Sequence, residues 1–255
     1  MSQVSKLFDS RSKEYNQIYG ESFSKKLLHQ EKRVRAALVE DMVFSYLSSN
    51  TEGVLVDVGC GMGNVLLNLK KKGLKAKMYG VDISPDMISL ANKKLDLAGY
   101  KDINFSSGSL DDIKVSANAV LSLGVSGYQK KQEEFLVGLS NLVSNEGYLI
   151  FTTANGDSFL RITRRYLSKL HSLVKGKIKS KGVEFFSIKN KKVERALIKH
   201  GFKLEKRVYI TFGLGLFASS IECSIDKFFL KHFSNSFIGK YLSLTVIYVY
   251  KKVDS

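Results

Sequence analysis

Val54-Leu55-Val56-Asp57-Val58-Gly59-Cys60-Gly61-Met62-Gly63 is the stretch whose reading decides the fold. Its first five residues are apolar and β-branched and are bounded by Gly53 and Gly59, the pattern of a short strand buried in a parallel sheet. Three glycines follow at alternate positions, and a helix is predicted over 63–72, ending at Gly73. Glycines at such a turn let the chain reverse sharply and bring its backbone close to a ligand, while the helix N-terminus behind them offers unpaired N–H groups. Asp82 stands 19 residues after Gly63, at the end of the next predicted strand. An acidic side chain there accepts hydrogen bonds from two ribose hydroxyls. The spacing is G-x-G-x-G rather than the G-x-G-x-x-G of dinucleotide enzymes. Asp57, just before the turn, would repel a pyrophosphate but suits a ligand with an ammonium group.

Outward from this unit the strand–helix alternation repeats. Lys77–Val81 reads as a strand. Ser84–Ala98 reads as a helix with Ser84 as N-cap and Pro85 at the first helical position, where its missing N–H is harmless. Ile103–Phe105 and Ala119–Leu123 read as strands, Gln132–Val143 as a helix and Tyr148–Thr152 as a strand. Such alternation gives a parallel sheet with helices on both faces and right-handed connections. The first fifty residues read as helical, with an apolar stripe through Leu27, Leu28, Val34, Ala37, Leu38, Met42, Val43 and Leu47. In the second half, 157–182 reads as a very basic helical segment, 191–200 as a helix, and Lys203–Thr211 as a strand with Leu204, Val208 and Ile210 on one face. A helical stripe runs Phe217, Ile221, Ile225, Phe228, Phe229 and Phe233, and Leu244–Tyr250 is the last strand. With no internal repeat and no long linker, residues 1–255 are expected to form one domain.

Composition narrows the function. Of the 255 residues, 44% are hydrophobic and 25% charged, ordinary for a globular chain and too apolar for a disordered one. Two cysteines make no disulfide scaffold and four scattered histidines show no zinc-ligand spacing, so no metal and a reducing, cytoplasmic setting are expected. No apolar run reaches the roughly 20 residues of a membrane-spanning helix. The net charge is +16. It admits a nucleic acid, an anionic membrane surface at the inner membrane face, an anionic substrate, or simple solvation by lysines.

Four segments appear in order at usual separations: VLVDVGCGMGNVLL (54–67), YGVDISPDMISLA (79–91), AVLSLGV (119–125) and NEGYLIFTT (145–153). Together they resemble the class I S-adenosylmethionine-dependent methyltransferases, and most closely their small-molecule branch, which includes quinone-biosynthesis enzymes. The resemblance implies a Rossmann-like seven-stranded sheet of order 3-2-1-4-5-7-6 with the last strand antiparallel. It implies S-adenosylmethionine as methyl donor and S-adenosylhomocysteine as product. Gly59, Cys60, Gly61 and Gly63 would wrap the methionine part, with Asp57 at its amino group. Asp82 would hold the ribose, Ile83 and Met87 would flank the adenine, and Ser109 and Leu110 would reach the adenine edge. Leu123 and Gly124 would border the sulfonium. Relatives usually carry an acidic residue where Ser109 stands and Phe-Asp where Ala117-Asn118 stands. Arg35 is the candidate for the cofactor carboxylate. Tyr15 and Tyr19, one helical turn apart, are candidates for an N-terminal aromatic helix over the cofactor.

The segments outside the sheet pattern are left for the acceptor. Residues 1–50 are expected to form a helical cap, and 157–187 and 213–240 lid insertions. Tyr128, Asn155, Phe185 and Phe186 are the candidate acceptor contacts. His171 and Tyr19 are the catalytic candidates, although methyl transfer from a sulfonium needs positioning and exclusion of water more than a base. The aromatic stripe of the second insertion is core packing, an acceptor wall or a lipid-contacting face. The expected substrate is a small acceptor, apolar or lipid-linked, methylated on O, N or C. An RNA methyltransferase using the basic segment 161–181 and a non-catalytic cofactor-binding relative are the alternatives.

Overall fold

The computed structural model describes residues 2–19, 27–47, 52–163, 166, 183–212 and 219–253; for 12–19, 27–30 and 219–223 only the backbone is described. The elements run α1 (Gln3–Tyr19), α2 (Leu27–Tyr46), β1 (Val54–Val58), α3 (Asn64–Lys71), β2 (Lys77–Asp82), α4 (Pro85–Ala98), β3 (Ile103–Ser107), β4 (Ala117–Ser122), α5 (Gln132–Asn141) and β5 (Val143–Ala154). Then follow α6 (Asn190–Ile198), β6 (Phe202–Ile210), α7 (Ser219–Phe233), α8 (Phe237–Leu242) and β7 (Thr245–Lys252). The seven strands form one sheet of order β3-β2-β1-β4-β5-β7-β6, with β7 antiparallel to both β5 and β6. The expected topology and strand direction are therefore found.

Two apolar layers sandwich the sheet. On one face Leu66 and Leu69 of α3, Val39 and Val43 of α2, and Ala91 of α4 pack on Leu55, Ala119 and Val249. On the other, Leu136 and Leu139 of α5 and Val193 and Leu197 of α6 pack on Val56, Leu149 and Tyr248. Ser84 caps α4 as expected, its hydroxyl accepting from the Met87 amide at 3.2 Å, with Pro85 at the first turn.

The structure corrects the local reading in three places. Val143 begins β5 rather than ending a helix, because the chain leaves α5 at Leu142 and pairs Val143 with Ala117. In β6 a register shift between Leu204 and Lys206 inverts the strand's parity. Leu204 therefore lies on the α5–α6 side, whereas Val208 and Ile210 lie on the opposite face. In α2 the buried face runs through Lys32, Ala36, Val39, Glu40, Val43 and Leu47, while Ala37 is exposed. Polar contacts accompany that rotation: buried Glu40 accepts from the Asn68 amide at 3.0 Å and meets Lys72 at 2.9 Å. Hydrophobicity alone could not foresee it. Phe228 of the expected stripe is exposed, and Phe217 and the side chain of Ile221 lie outside the described residues.

At the centre of the second layer the Phe151 ring stacks on Tyr248 at 5.2 Å and Tyr250 at 6.2 Å between centroids. Phe151→Ala is expected to cost about 3–5 kcal/mol in urea unfolding, the usual loss for a buried aromatic truncated to Ala. A loss under about 1 kcal/mol would show that the stack is not part of the core.

Candidate functional site

The turn after β1 is held by backbone bonds. The amides of Gly59 and Cys60 both donate to the Val81 carbonyl, at 2.7 and 3.2 Å, and Gly63 donates to the Cys60 carbonyl at 3.1 Å. Two of the glycines are needed for different reasons. Both have positive φ, 55° at Gly61 and 70° at Gly63. A Cβ at Gly63 would lie 2.2 Å from the Phe105 ring, whereas one at Gly61 would meet nothing within 4 Å. Gly63 is a packing requirement, and Gly61 presents bare backbone to open space.

That space is a cavity of about 1520 Å³ at the carboxyl ends of the strands. It exceeds the roughly 300–1,000 Å³ of an ordinary single-ligand pocket, so it has room for two molecules. At one end stand two carboxylates. Asp82 accepts the Gly61 amide at 2.8 Å on one oxygen and the Ser84 amide at 2.9 Å on the other. Burial raises its pKa, and those backbone donors partly offset the rise. Asp57 is 2% exposed, and its Oδ1 has no hydrogen-bond partner. Burial first, and repulsion by Asp82 second, push its pKa up to about 7, against a lowering by Arg35. Burial and the two carboxylates also push the Cys60 thiol up. Arg35 of α2 lies across the cavity by Gly124, where a Cβ would come 3.0 Å from its Nη1.

Helix α1 roofs this end. Ser5 donates its hydroxyl to the Ile83 carbonyl at 3.0 Å, Ser84 donates to Asp9, and the Phe8 ring meets Tyr128 edge-on at 5.2 Å. Tyr128 in turn meets Phe185 edge-on at 5.3 Å, and the Arg161 guanidinium lies 5.8 Å from the Phe185 centroid. Gly124 is fixed by its amide donating to Thr152 Oγ1 at 2.8 Å. The irregular segment that follows 183 is tied down where the Phe186 amide donates to the Gly127 carbonyl at 2.7 Å and the Gly156 amide to the Ile188 carbonyl at 2.9 Å.

The cavity wall brings together Arg35, Asp57, Gly59, Cys60, Gly61, Asp82, Ile83, Met87, Ser109, Leu110, Leu123 and Gly124, and beyond them Tyr128, Asn155, Phe185 and Phe186. Gly63 lies behind the wall. The amide nitrogen of Asn155 donates to Lys240 and Ser243, at 2.8–3.0 Å, and its carbonyl accepts from Asp157, so it braces the floor. The side chains of Tyr15 and Tyr19, and His171 entirely, lie outside the described residues. Phe8, Asp9, Thr152 and Thr211 were not singled out from sequence. Phe8-Asp9 offered a signal, an aromatic beside an acid at the start of the helix; Thr152 and Thr211 become visible only once strand ends are paired.

The sequence profile described as "Methyltransferase domain" matches residues 49–201. The chain belongs to this methyltransferase family. Malonyl-[acyl-carrier protein] O-methyltransferase of Priestia megaterium is 27% identical over 62% of this chain and 59% of its own length. Ribosomal RNA small subunit methyltransferase C of Colwellia psychrerythraea is 29% identical over 47% of this chain and 34% of its own length. The chain thus spans less than two thirds of the length of those curated relatives. Magnesium protoporphyrin IX methyltransferase of Synechocystis, crystallised with S-adenosylhomocysteine, shares the fold at a TM-score of 0.67 and 19% identity, covering 98% of this chain and 97% of that one. Geranyl diphosphate methyltransferase with S-adenosylmethionine aligns at a TM-score of 0.58 and 15% identity over 87% of each chain. The chain shares its fold with these methyltransferases crystallised with S-adenosylmethionine or its product, and the residues present fit that cofactor. Asp57 offers an unpaired buried oxygen to an ammonium, Arg35 a cation to a carboxylate, and Gly61 an open approach.

Two results are expected. In the ligand-free protein Asp57 is protonated where the unfolded chain's carboxyl is already ionised, so stability falls as pH rises from about 4 to about 7. Asp57→Asn should therefore raise the melting temperature at pH 8 more than at pH 5, while cofactor affinity falls about tenfold or more, the scale of a lost charge-assisted bond. Equal melting shifts at both pH values would refute the buried-carboxylate reading. Second, Gly63→Ala should destabilise the fold by clashing with Phe105. Gly61→Ala should carry only positive-φ strain of about 1–2 kcal/mol yet lose S-adenosylhomocysteine binding by calorimetry; unchanged binding would move the cofactor away from this turn.

Proposed function

We propose that this enzyme methylates a small acceptor with an apolar or aromatic body and an anionic group. The observation that carries the reading is the second half of the cavity. Beyond Gly124 it is walled by Phe8, Tyr128 and Phe185, with Arg161 beside them. Thr211 adds a polar point. It holds φ 64°, unusual for a β-branched residue, and its buried hydroxyl has no partner. Aromatic walls take an apolar body, and a guanidinium with a hydroxyl takes an anionic oxygen. The malonyl-[acyl-carrier protein] O-methyltransferase among the relatives supports an oxygen acceptor.

The roles follow from position. Asp57 takes the cofactor's ammonium, Arg35 its carboxylate and Asp82 its ribose, while Ile83 and Met87 flank the adenine. S-adenosylmethionine, when bound, supplies an electrophilic methyl on a sulfonium. The chain's own task is alignment and exclusion of water. Asp82, with Asp57 once the ligand's ammonium draws off its proton, makes one end of the cavity negative, favouring a cationic ligand. The roof of α1 and the Phe8–Tyr128–Phe185 wall keep solvent from the space beside Gly124, and Arg161 and Thr211 fix the acceptor there. Residues 1–255 work as one domain in this reading, with the cap and both insertions shaping the acceptor side.

Incubation with methyl-labelled S-adenosylmethionine and a fractionated cell extract tests it. Label should enter an organic-soluble acid, and Arg161→Gln or Thr211→Val should raise the acceptor KM with S-adenosylhomocysteine affinity unchanged. Label in RNA instead would favour the basic run 161–181 as an RNA contact and overturn the small-acceptor reading.

A further inference from the structure

Both insertions spring from one edge of the sheet. The first leaves β5 at Ala154 and the second leaves β6 at Ile210, and both residues pair in register with Thr245, where β7 begins. Their bases are laced together: Asn155 donates to the Lys240 carbonyl at 2.8 Å, and Arg161 donates to the Leu244 carbonyl. Arg161, Ile162, Leu244 and Thr245 also line the cavity. The bases of both insertions therefore meet at the rim of the cavity.

What they expose is unusual. Among the described residues, twelve large apolar side chains are exposed, and eight of them lie on these two insertions. All six exposed aromatics are there: Phe159, Tyr166, Phe185, Phe228, Phe237 and Tyr241, with Phe237 at 74% and Tyr166 at 65%. Ile162 and Ile238 complete the set. The same insertions hold eleven basic and four acidic residues. Two of the acids are engaged internally, Asp157 with the Asn190 amides and Asp226 with the Phe212 amide. Seven of those eleven basic residues fall in the sequence between 163 and 183, a stretch without an acid.

We propose that this edge docks on an anionic lipid bilayer, so that the acceptor passes from the membrane into the cavity. The inference rests on the small apolar acceptor proposed above. Exposed aromatics and aliphatics interspersed with cations match an interfacial contact: the rings sit at headgroup level and each nearby Lys or Arg contributes about 1 kcal/mol on an anionic surface. Lys240, 5.1 Å from the Tyr241 ring, and Lys227 and Lys231, flanking Phe228, supply such pairs. A single-strand RNA groove would use the aromatics but has no use for Ile162 and Ile238. No described helix is long and apolar enough to cross a membrane, so the contact is superficial.

Co-sedimentation of the full chain with vesicles of phosphatidylglycerol and phosphatidylcholine, against phosphatidylcholine alone, tests it. Binding is expected to the anionic vesicles only and to weaken with salt. The pairs Phe237→Ser with Ile238→Ser, and Lys227→Glu with Lys231→Glu, should each reduce it by about tenfold or more, with S-adenosylhomocysteine affinity and melting temperature unchanged. Indifference to lipid charge, or variants that sediment like wild type, would overturn the proposal, as would tight RNA binding that vesicles do not displace. Methyl transfer to a detergent-dispersed acid is read separately. If it persists without vesicle binding, only the docking fails; if it is absent while vesicles bind, the acceptor reading fails.

Discussion

A carboxylate is buried at the carboxyl end of the central strand with one oxygen unpaired, and the rest of the site is arranged around that. Asp57 sits between β2 and β4 in the middle of a seven-stranded sheet, so water cannot reach it freely. Its pKa is pushed up to about 7, which means the ligand-free fold holds a group that would rather be neutral. Neighbouring Asp82 worsens this, and Arg35 relieves it only in part. Such an arrangement lowers stability in exchange for a binding free energy that a cationic ligand releases. The glycine turn, the Val81 carbonyl that clasps it and the cap at Ser84 all serve to hold these carboxylates facing one space.

The glycine-turn end of the cavity was legible because much of it is local. From Val54 to Met87 one strand, one turn, one helix, the next strand and the start of α4 carry Asp57, Gly59, Gly61, Asp82, Ile83 and Met87, and residue type distinguishes them. The strand order followed from a family resemblance carried by four segments between 54 and 153. Where the reading failed, the cause was long-range. Glu40, paired with Lys72 and Asn68, accompanies a rotation of α2 that burial periodicity could not anticipate. The bulge in β6 inverted the facing of Leu204, since one extra residue reverses strand parity. Val143 was drawn into β5 by pairing with Ala117, a contact between distant positions.

The other half of the cavity is the converse case. Its wall is gathered from α1, the turn at 124–128, the base of the first insertion, the end of β6 and the start of β7. Phe8, Arg161 and Thr211 have no common sequence signature; the docking of α1 and the pairing of the β5, β6 and β7 ends bring them to one cavity wall. Asn155 shows how residue type misleads there: a polar side chain on the cavity wall spends its hydrogen bonds on Lys240, Ser243 and Asp157. Charge shows the opposite lesson. The basic run was plain in the sequence, whereas the exposure of Phe159, Phe228, Phe237 and Tyr241 became visible only in the fold.

The most direct measurement is calorimetric titration of the full chain with S-adenosylhomocysteine at pH 6 in two buffers of different ionisation enthalpy. If Asp57 is mostly protonated before binding and meets the ligand's ammonium as a carboxylate, the heats should differ by the release of about one proton per site, given a pKa near 7. The release should vanish in Asp57→Asn and shrink toward zero at pH 8. Binding with no proton released at pH 6, or the same release from Asp57→Asn, would contradict the account.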